Sequence, residues 1–175
     1  MTRRPLPSEY PSFFSGYVDR VPELDVVAAM RAQIDSLRRL PTVVPIERET
    51  YAYGPDKWTI RQLVGHVGDA ERVFSFRALC FSRADQNALP GFDENTYVGH
   101  SRFNERPLLD LVDELTLLRS ANVRMFAALN EQQWGSTGTA NGKPISVLAL
   151  AFVMVGHVRH HLAVLRDKYA IDAGV

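Results

Sequence analysis

The chain has 175 residues, with 20 basic and 20 acidic side chains and therefore a formal net charge of zero. Such a length suits one domain with a sizeable core. A neutral chain lacks the strong field that attracts nucleic acid or an anionic membrane surface. The single cysteine, Cys80, excludes an internal disulfide and a metal site built from several cysteines. We therefore expect a cytoplasmic protein with neither nucleic-acid nor membrane partners.

The N-terminal residues 1–22 contain arginines and prolines but no uninterrupted apolar run. A secretory signal peptide needs such a run. We expect these residues to form an extended arm that precedes the folded bundle.

Four later segments have apolar residues at spacings of three and four, which is typical of amphipathic helices. The predicted helices cover about 23–40 and 59–85, then start at Pro107 and at Pro144. Thr59 is a good N-cap candidate for the second helix. The segments between the helices are rich in proline or glycine, and no strand-like alternation of useful length is present.

Helices of about 18 to 27 residues predict an all-α fold, a four-helix bundle. The connections at 41–58 and 86–106 are long enough to cross the bundle. We expect one domain over 1–175, with the bundle at about 23–170.

Three of the five histidines lie in GHVRHHLAVLRDKY, residues 156–169, at the end of the most apolar segment. At about 100° per residue, His157 and His161 lie about 20° on either side of Leu150, the centre of the apolar face, whereas His160 lies on the flank. Two imidazoles at positions i and i+4 can reach a common point, as they do in helical zinc sites. The spacing therefore predicts that His157 and His161 are metal ligands.

A metal site inside a bundle also needs a ligand from a facing helix. His66 lies at the border of the apolar stripe of the second helix, and a hydrogen bond to Asp69 or Glu71 is the alternative to a ligand role. Beside a site with two histidines, we expect His66 to be the third ligand. Asp69 and Glu71 are then candidates to accept hydrogen bonds from the ligand rings. A salt bridge with Arg72 or Arg77 is an equal alternative for Glu71. His100 lies in a predicted loop and is expected to face solvent.

Three neutral histidines leave a coordination position open, which is typical of catalytic rather than structural metal sites. Imidazole suits zinc, nickel, iron and cobalt, and ligand type alone does not choose among them. A metal in such a site can activate a bound water or thiol. A zinc peptidase would need a glutamate where this chain has Val158. Di-iron carboxylate bundles need inward glutamates, and the fourth predicted helix has none.

Three further side chains near these positions have two interpretations each. Arg77 is expected to pair with Asp69 or Glu71, and contact with an anionic substrate is the alternative. Trp58 and Trp134 are expected to anchor helix packing, and the alternative is that they line a substrate mouth.

Several stretches resemble the DinB-like superfamily of metal-dependent proteins: KWTIRQLVGHVGDAERVFSFRALCFSRAD, LPGFDENTYV, EQQW and GHVRHHLAVLRDKY. The resemblance implies a four-helix bundle with a long crossover, often dimeric, and a metal site on His66, His157 and His161. The superfamily includes bacillithiol and mycothiol S-transferases, in which the metal activates a low-molecular-weight thiol. Relatives often carry glutamine three residues after the double histidine, where this chain has Val164.

These expectations combine into one hypothesis. The protein is a homodimeric transferase that uses a divalent metal (zinc, nickel or iron) to activate a small thiol, or a bound water, for attack on an electrophile. A metal-assisted hydrolase and a non-catalytic, stress-related metal- or ligand-binding bundle are the alternatives. No general base can be named from the sequence.

Overall fold

The computed structural model describes residues 3–174. Short 3-10 turns occur at Pro7–Glu9, Ser12–Phe14, Ile46–Arg48 and Phe103–Glu105. The other elements in chain order are α1 (Ser15–Val18), α2 (Val26–Arg38), α3 (Leu40–Val43), α4 (Ile60–Ser82), α5 (Glu94–His100), α6 (Leu108–Ala127), α7 (Glu131–Gly135), β1 (Thr137–Ala140), β2 (Lys143–Ser146) and α8 (Val147–Tyr169). The long helices α2, α4, α6 and α8 form the core, with α4 and α2 each packed against both α6 and α8. The predicted all-α four-helix bundle is confirmed.

The ends of the long helices follow local capping chemistry. Thr59 caps α4 as predicted, because its side chain accepts a hydrogen bond from the Gln62 amide while the Gln62 side chain accepts one from the Thr59 amide. The start predicted for the fourth helix, Pro144, belongs instead to β2, and Ser146 caps α8. The most apolar window of α8 has a mean hydropathy of 1.6, enough for a membrane span by composition, but 78% of that window is buried inside the fold. The helix is therefore the centre of the core.

The connections contain more regular structure than the sequence predicted. The segment 41–58 includes most of α3 and a 3-10 turn, and the segment 86–106 includes α5. Where no strand was expected, β1 and β2 form an antiparallel hairpin around Asn141 and Gly142. Both of these residues have positive φ, 51° and 68°, which is the backbone that an Asn-Gly hairpin turn requires. Strands of four residues are too short to show alternation.

The N-terminal arm was expected to be extended, and the structure corrects that expectation. Within residues 3–22 there are two 3-10 turns and the helix α1, which packs against α8. Val18 and Val21 are buried at this contact. The two backbones approach closely because α8 has Gly156 here: a β carbon on Gly156 would lie 2.0 Å from the carbonyl oxygen of Tyr17.

Replacing Gly156 with alanine is expected to push α1 away from α8. Overpacking of this kind destabilises by roughly 1–3 kcal/mol, and denaturant unfolding combined with limited proteolysis of the N-terminal segment measures it. Gly16→Ala in α1 is the matched control, because its new β carbon would meet nothing within 4 Å. Equal stability and equal resistance of the N-terminal segment to proteolysis in the two variants would contradict the expected clash.

Candidate metal centre

The three histidines predicted as ligands meet between α4 and α8. The Nε2 atom of His157 lies 3.1 Å from Nε2 of His66 and 3.1 Å from Nε2 of His161. All three candidate ligand atoms lie within 4.8 Å of one another. His66 and His157 are each 5% exposed, and His161 keeps a partly accessible surface. Side chains from one face of α8 and from the border of the apolar stripe of α4 thus meet at one point.

Burial keeps these imidazoles neutral. Desolvation, followed by the charge of His160, lowers the pKa of His66 to about 4. Desolvation and the neighbouring histidines hold the pKa values of His157 and His161 well below the usual range. A neutral ring offers the lone pair that a metal ion requires.

Hydrogen bonds among the three imidazole rings cannot satisfy all of the Nε2 atoms that face one another. A neutral ring nitrogen carries either one proton or one lone pair, yet Nε2 of His157 faces two other Nε2 atoms at 3.1 Å. Nitrogen ligands about 2.0–2.1 Å from a tetrahedral zinc lie roughly 3.3 Å from one another. The spacing and chemistry of this donor set therefore fit a divalent cation better than a hydrogen-bonded cluster.

The carboxylates expected to orient the ligand rings have other partners. Asp69 lies 3.7 Å from Arg72. Glu71 accepts hydrogen bonds from Arg119 and Asn122, each at 2.7 Å. Among residues 3–174, neither carboxylate bonds to a candidate ligand, so that expectation is wrong.

Aromatic rings contact the histidines instead. The ring centroid of Trp58 lies 4.7 Å from that of His66, and the Tyr17 ring meets His157 edge-on at 5.3 Å. Within the described part of the chain, the buried Nδ1 atom of His161 has no hydrogen-bond partner. Ring packing is therefore the main restraint on these side chains.

The other two histidines lie outside the convergent set. His160 is half-buried on the flank of α8, with its ring 5.5 Å from that of Tyr17. His100 is exposed, and its Nδ1 atom lies 2.9 Å from the Thr96 carbonyl oxygen. The flank position of His160 and the solvent exposure of His100 agree with the sequence predictions, but His100 is the last residue of α5 rather than part of a loop.

Two cavities with room for a small molecule border the three histidines, and a further space beside His161 holds only about 10 Å³. The first has a volume of about 250 Å³, touches His66 and His157, and is otherwise lined mainly by aromatic and polar side chains: Pro11, Phe13, Phe14, Tyr17, Phe74, Arg77, Phe92, Glu94, Ala140, Asn141 and Ile145. The second has a volume of about 230 Å³, touches His161, and includes Trp58 and Val164 in its wall. The position where relatives often carry glutamine thus faces the second cavity.

The two tryptophans have different roles. Trp58 contributes to the wall of the second cavity. Trp134 is 3% exposed and stacks on Phe126 with ring centroids 5.4 Å apart, so it is a packing anchor, as expected.

The ion pair expected for Arg77 is not formed. Glu71 is bonded to Arg119, and Asp69 to Arg72. Arg77 is 5% exposed, and its Nη2 atom donates to the Pro90 carbonyl oxygen at 2.9 Å.

Sequence reasoning missed two side chains beside the histidines. Tyr17 follows Phe13 and Phe14 at helical spacing, a signal that the prolines around it obscured. Arg119 is fully buried, and after burial and the neighbouring histidines its charge also lowers the pKa of His157. It lies on the apolar stripe of α6, where a charged residue is itself a signal of a buried partner.

The metal-free protein is expected to lose stability as the pH falls below about 6.5. The unfolded state takes up a proton on His66 near pH 6.5, whereas the folded state does so only near pH 4, so protonation favours unfolding across that interval. Between pH 7.5 and pH 5 this one group contributes about 2 kcal/mol. Urea unfolding of chelator-treated protein at both pH values measures the loss. His66→Phe should reduce it and His100→Gln should not; an unchanged pH dependence in His66→Phe would contradict the assignment.

Comparisons with known proteins identify the family. The model of the DinB superfamily matches residues 25–165. Sequence comparison with curated proteins gives no match. Among solved structures, YfiT from Bacillus subtilis, a probable metal-dependent hydrolase with an unusual four-helix bundle topology, is similar with a TM-score of 0.72 and 17% identity, over 96% of this chain and 94% of that one. A mycothiol-dependent maleylpyruvate isomerase is similar with a TM-score of 0.63 and 13% identity, over 82% of this chain and 60% of the isomerase.

At these identities the structural likenesses establish the fold alone. The family match is broader evidence, because it spans most of the chain and includes all three convergent histidines. The recognised sequence stretches, the bundle and the family match agree, and the protein belongs to the DinB superfamily.

Proposed function

We propose that His66, His157 and His161 hold one divalent metal ion, and that the protein uses it to join a low-molecular-weight thiol to an electrophile. The observation that carries the proposal is the convergence of three neutral Nε2 atoms beside two cavities. When bound there, a divalent ion would lower the pKa of a thiol or water and screen developing negative charge. Zinc, nickel and iron are the candidate ions, because imidazole nitrogen suits all three.

The two cavities favour thiol transfer over hydrolysis. One cavity touches His66 and His157 and the other touches His161, so two small molecules can approach the same point from different sides. The name of the isomerase indicates a small-thiol cofactor, and that of YfiT indicates hydrolysis. Metal-assisted hydrolysis, which needs one organic substrate and water, is the second candidate, and non-catalytic metal or ligand binding is the third.

The chain's own residues supply neutral ligands and an environment from which bulk water is partly excluded. In the proposed transfer the thiol proton leaves to water and the thiol sulfur forms a bond to the electrophilic carbon. The bond from that carbon to its leaving group breaks, and the leaving group departs with the electron pair. No carboxylate among residues 3–174 hydrogen-bonds to the three rings, so no side chain is assigned as general base. The aromatic rings of Tyr17 and Trp58 pack against the histidines and limit the access of bulk water.

The remaining expectations belong to the same proposal. We propose one domain over 1–175 that acts as a homodimer in the cytoplasm on small molecules, with no nucleic-acid or membrane partner. The burial of α8 in the core supports a soluble protein. Light scattering on the purified protein tests the dimer.

Cobalt(II)-loaded protein separates the three candidates. Thiol transfer predicts that N-acetylcysteine changes the visible spectrum of the cobalt and that the protein accelerates its reaction with an electrophile such as 1-chloro-2,4-dinitrobenzene. Hydrolysis predicts instead a thiol-independent, pH-dependent rate with p-nitrophenyl acetate. Metal binding without either response would reject both reactions and favour the binding role.

A further inference from the structure

Arg77 is a buried cation that the proposed metal chemistry does not use. It lies on α4 and is 5% exposed, and burial lowers its pKa. Its one hydrogen bond within the described chain is from Nη2 to the Pro90 carbonyl oxygen. Its Nε and Nη1 atoms have no partner there, and neither is sealed from solvent. An arginine held in this way has donors free for a ligand.

The guanidinium lies in the wall of the same cavity as His66 and His157. Its Cζ atom lies 5.9 Å from the ring centroid of Phe74 and 5.9 Å from that of Phe92. The Phe74 ring in turn lies 5.8 Å from the ring of His157. One aromatic ring therefore separates the cation from the candidate metal centre, and both face one continuous space.

The charges of the cavity favour a ligand with a single negative charge. Arg77 is the one permanently cationic side chain in its described wall, and the two histidines there are neutral. Glu94, exposed at the same cavity, would repel further negative charge. A planar carboxylate matches the paired donors of a guanidinium, and the surrounding phenylalanine rings suit an apolar body. A phosphate group, which is largely dianionic at neutral pH, fits this charge distribution less well.

We propose that Arg77 binds a carboxylate of the substrate, so that the electrophile is an apolar monocarboxylate whose reacting atom lies one ring-width or more from its acid group. This inference rests on the proposed function for the identity of the reaction, but the carboxylate subsite is a property of Arg77 and its cavity. Arg77 fixes the orientation of the ligand along the cavity. The end of the ligand opposite the carboxylate is then directed towards the three histidines.

Binding of 3-phenylpropionate and of its neutral amide to chelator-treated protein tests the subsite without metal or turnover. Wild-type protein is expected to bind the acid about 10- to 100-fold more tightly than the amide, as charge-assisted hydrogen bonds in a buried site allow. Arg77→Gln is expected to abolish this preference, and Arg77→Lys to keep part of it. Arg83→Gln, an exposed change of the same type at the end of α4, is expected to leave it intact. Calorimetry or ligand-observed NMR measures each affinity.

The outcomes separate the subsite from the metal proposal. Equal binding of acid and amide by the wild type would overturn the subsite, whatever the metal content and whether or not the variants fold. Tighter binding of phenylphosphonate than of 3-phenylpropionate would overturn the single-charge preference. Wild-type protein that prefers the acid but takes up no metal would reject the proposed metal function and leave the subsite standing. Metal analysis and circular dichroism of Arg77→Gln establish that its binding change is local.

Discussion

Purified His157→Ala is expected to lose its bound metal, whereas His160→Ala is expected to keep it. The Nε2 atom of His157 lies 3.1 Å from those of both other candidate ligands, so its removal takes away the central donor. The affinity should fall by more than the roughly 10- to 100-fold that loss of an outer hydrogen-bond partner costs. Elemental analysis and competition with a chromophoric chelator measure the change. His160 is a close control, because it is a histidine of the same helix whose ring packs beside the site.

His66→Ala extends the same experiment to α4. Loss of metal in both His66→Ala and His157→Ala is the expected result for a site shared between two helices. Full retention in both variants would reject the three-histidine site. Retention in His66→Ala alone would confine the ligands to α8.

Arg119→Met is expected to destabilise the metal-free protein by roughly 3–5 kcal/mol, the usual effect of removing one partner from a buried ion pair. Arg119 is fully buried, and its guanidinium donates to Glu71 at 2.7 Å and to Gln33 at 2.9 Å. Gln33 in turn donates to the Val155 carbonyl oxygen at 2.9 Å. One network thus joins α2, α4, α6 and α8, and denaturant unfolding measures its contribution.

A double variant tests whether the loss of stability comes from leaving one charge of the Arg119–Glu71 pair buried without its partner. Arg119→Met combined with Glu71→Leu is expected to recover much of the lost stability, since an apolar replacement of both partners leaves no buried charge. Arg72→Met is the matched control, because Arg72 pairs with Glu114 across the same two helices but its side chain is 43% exposed. Its loss should change stability by no more than about 1 kcal/mol. Equal effects of Arg72→Met and Arg119→Met would contradict the special role of the buried network.

The parts of the site predictable from the sequence were those determined by helical periodicity. His157 and His161 occupy one face because four residues bring a helix back to nearly the same direction. Thr59 caps α4 because its partner lies three residues away. These relations are local, so the sequence of one protein is enough to predict them. His66 needed the additional premise of a facing helix.

The contacts that were wrongly predicted depend on which helices become neighbours. Glu71 was expected either to orient a histidine ring or to pair with Arg72 or Arg77, but it accepts a hydrogen bond from Arg119 on α6, 48 residues away. Arg77 was expected to pair locally, and the competing cations Arg119 and Arg72 take both carboxylates. The arm that carries Tyr17 becomes helical through contact with α8 rather than through its own propensity.

The separation of His66 and His157 along the chain has a consequence for the fate of the protein. A shared metal ion would join two points 91 residues apart, enclosing α5, α6, α7 and the hairpin in one closed loop. In the chain-entropy model, a permanent crosslink around a loop of that size stabilises by roughly 4–5 kcal/mol, and a bound ion acts in the same direction in proportion to its supply. Newly made chains in a metal-starved cell would therefore open more often and be degraded sooner. The amount of this protein would then follow the availability of its ion, before any question of turnover arises.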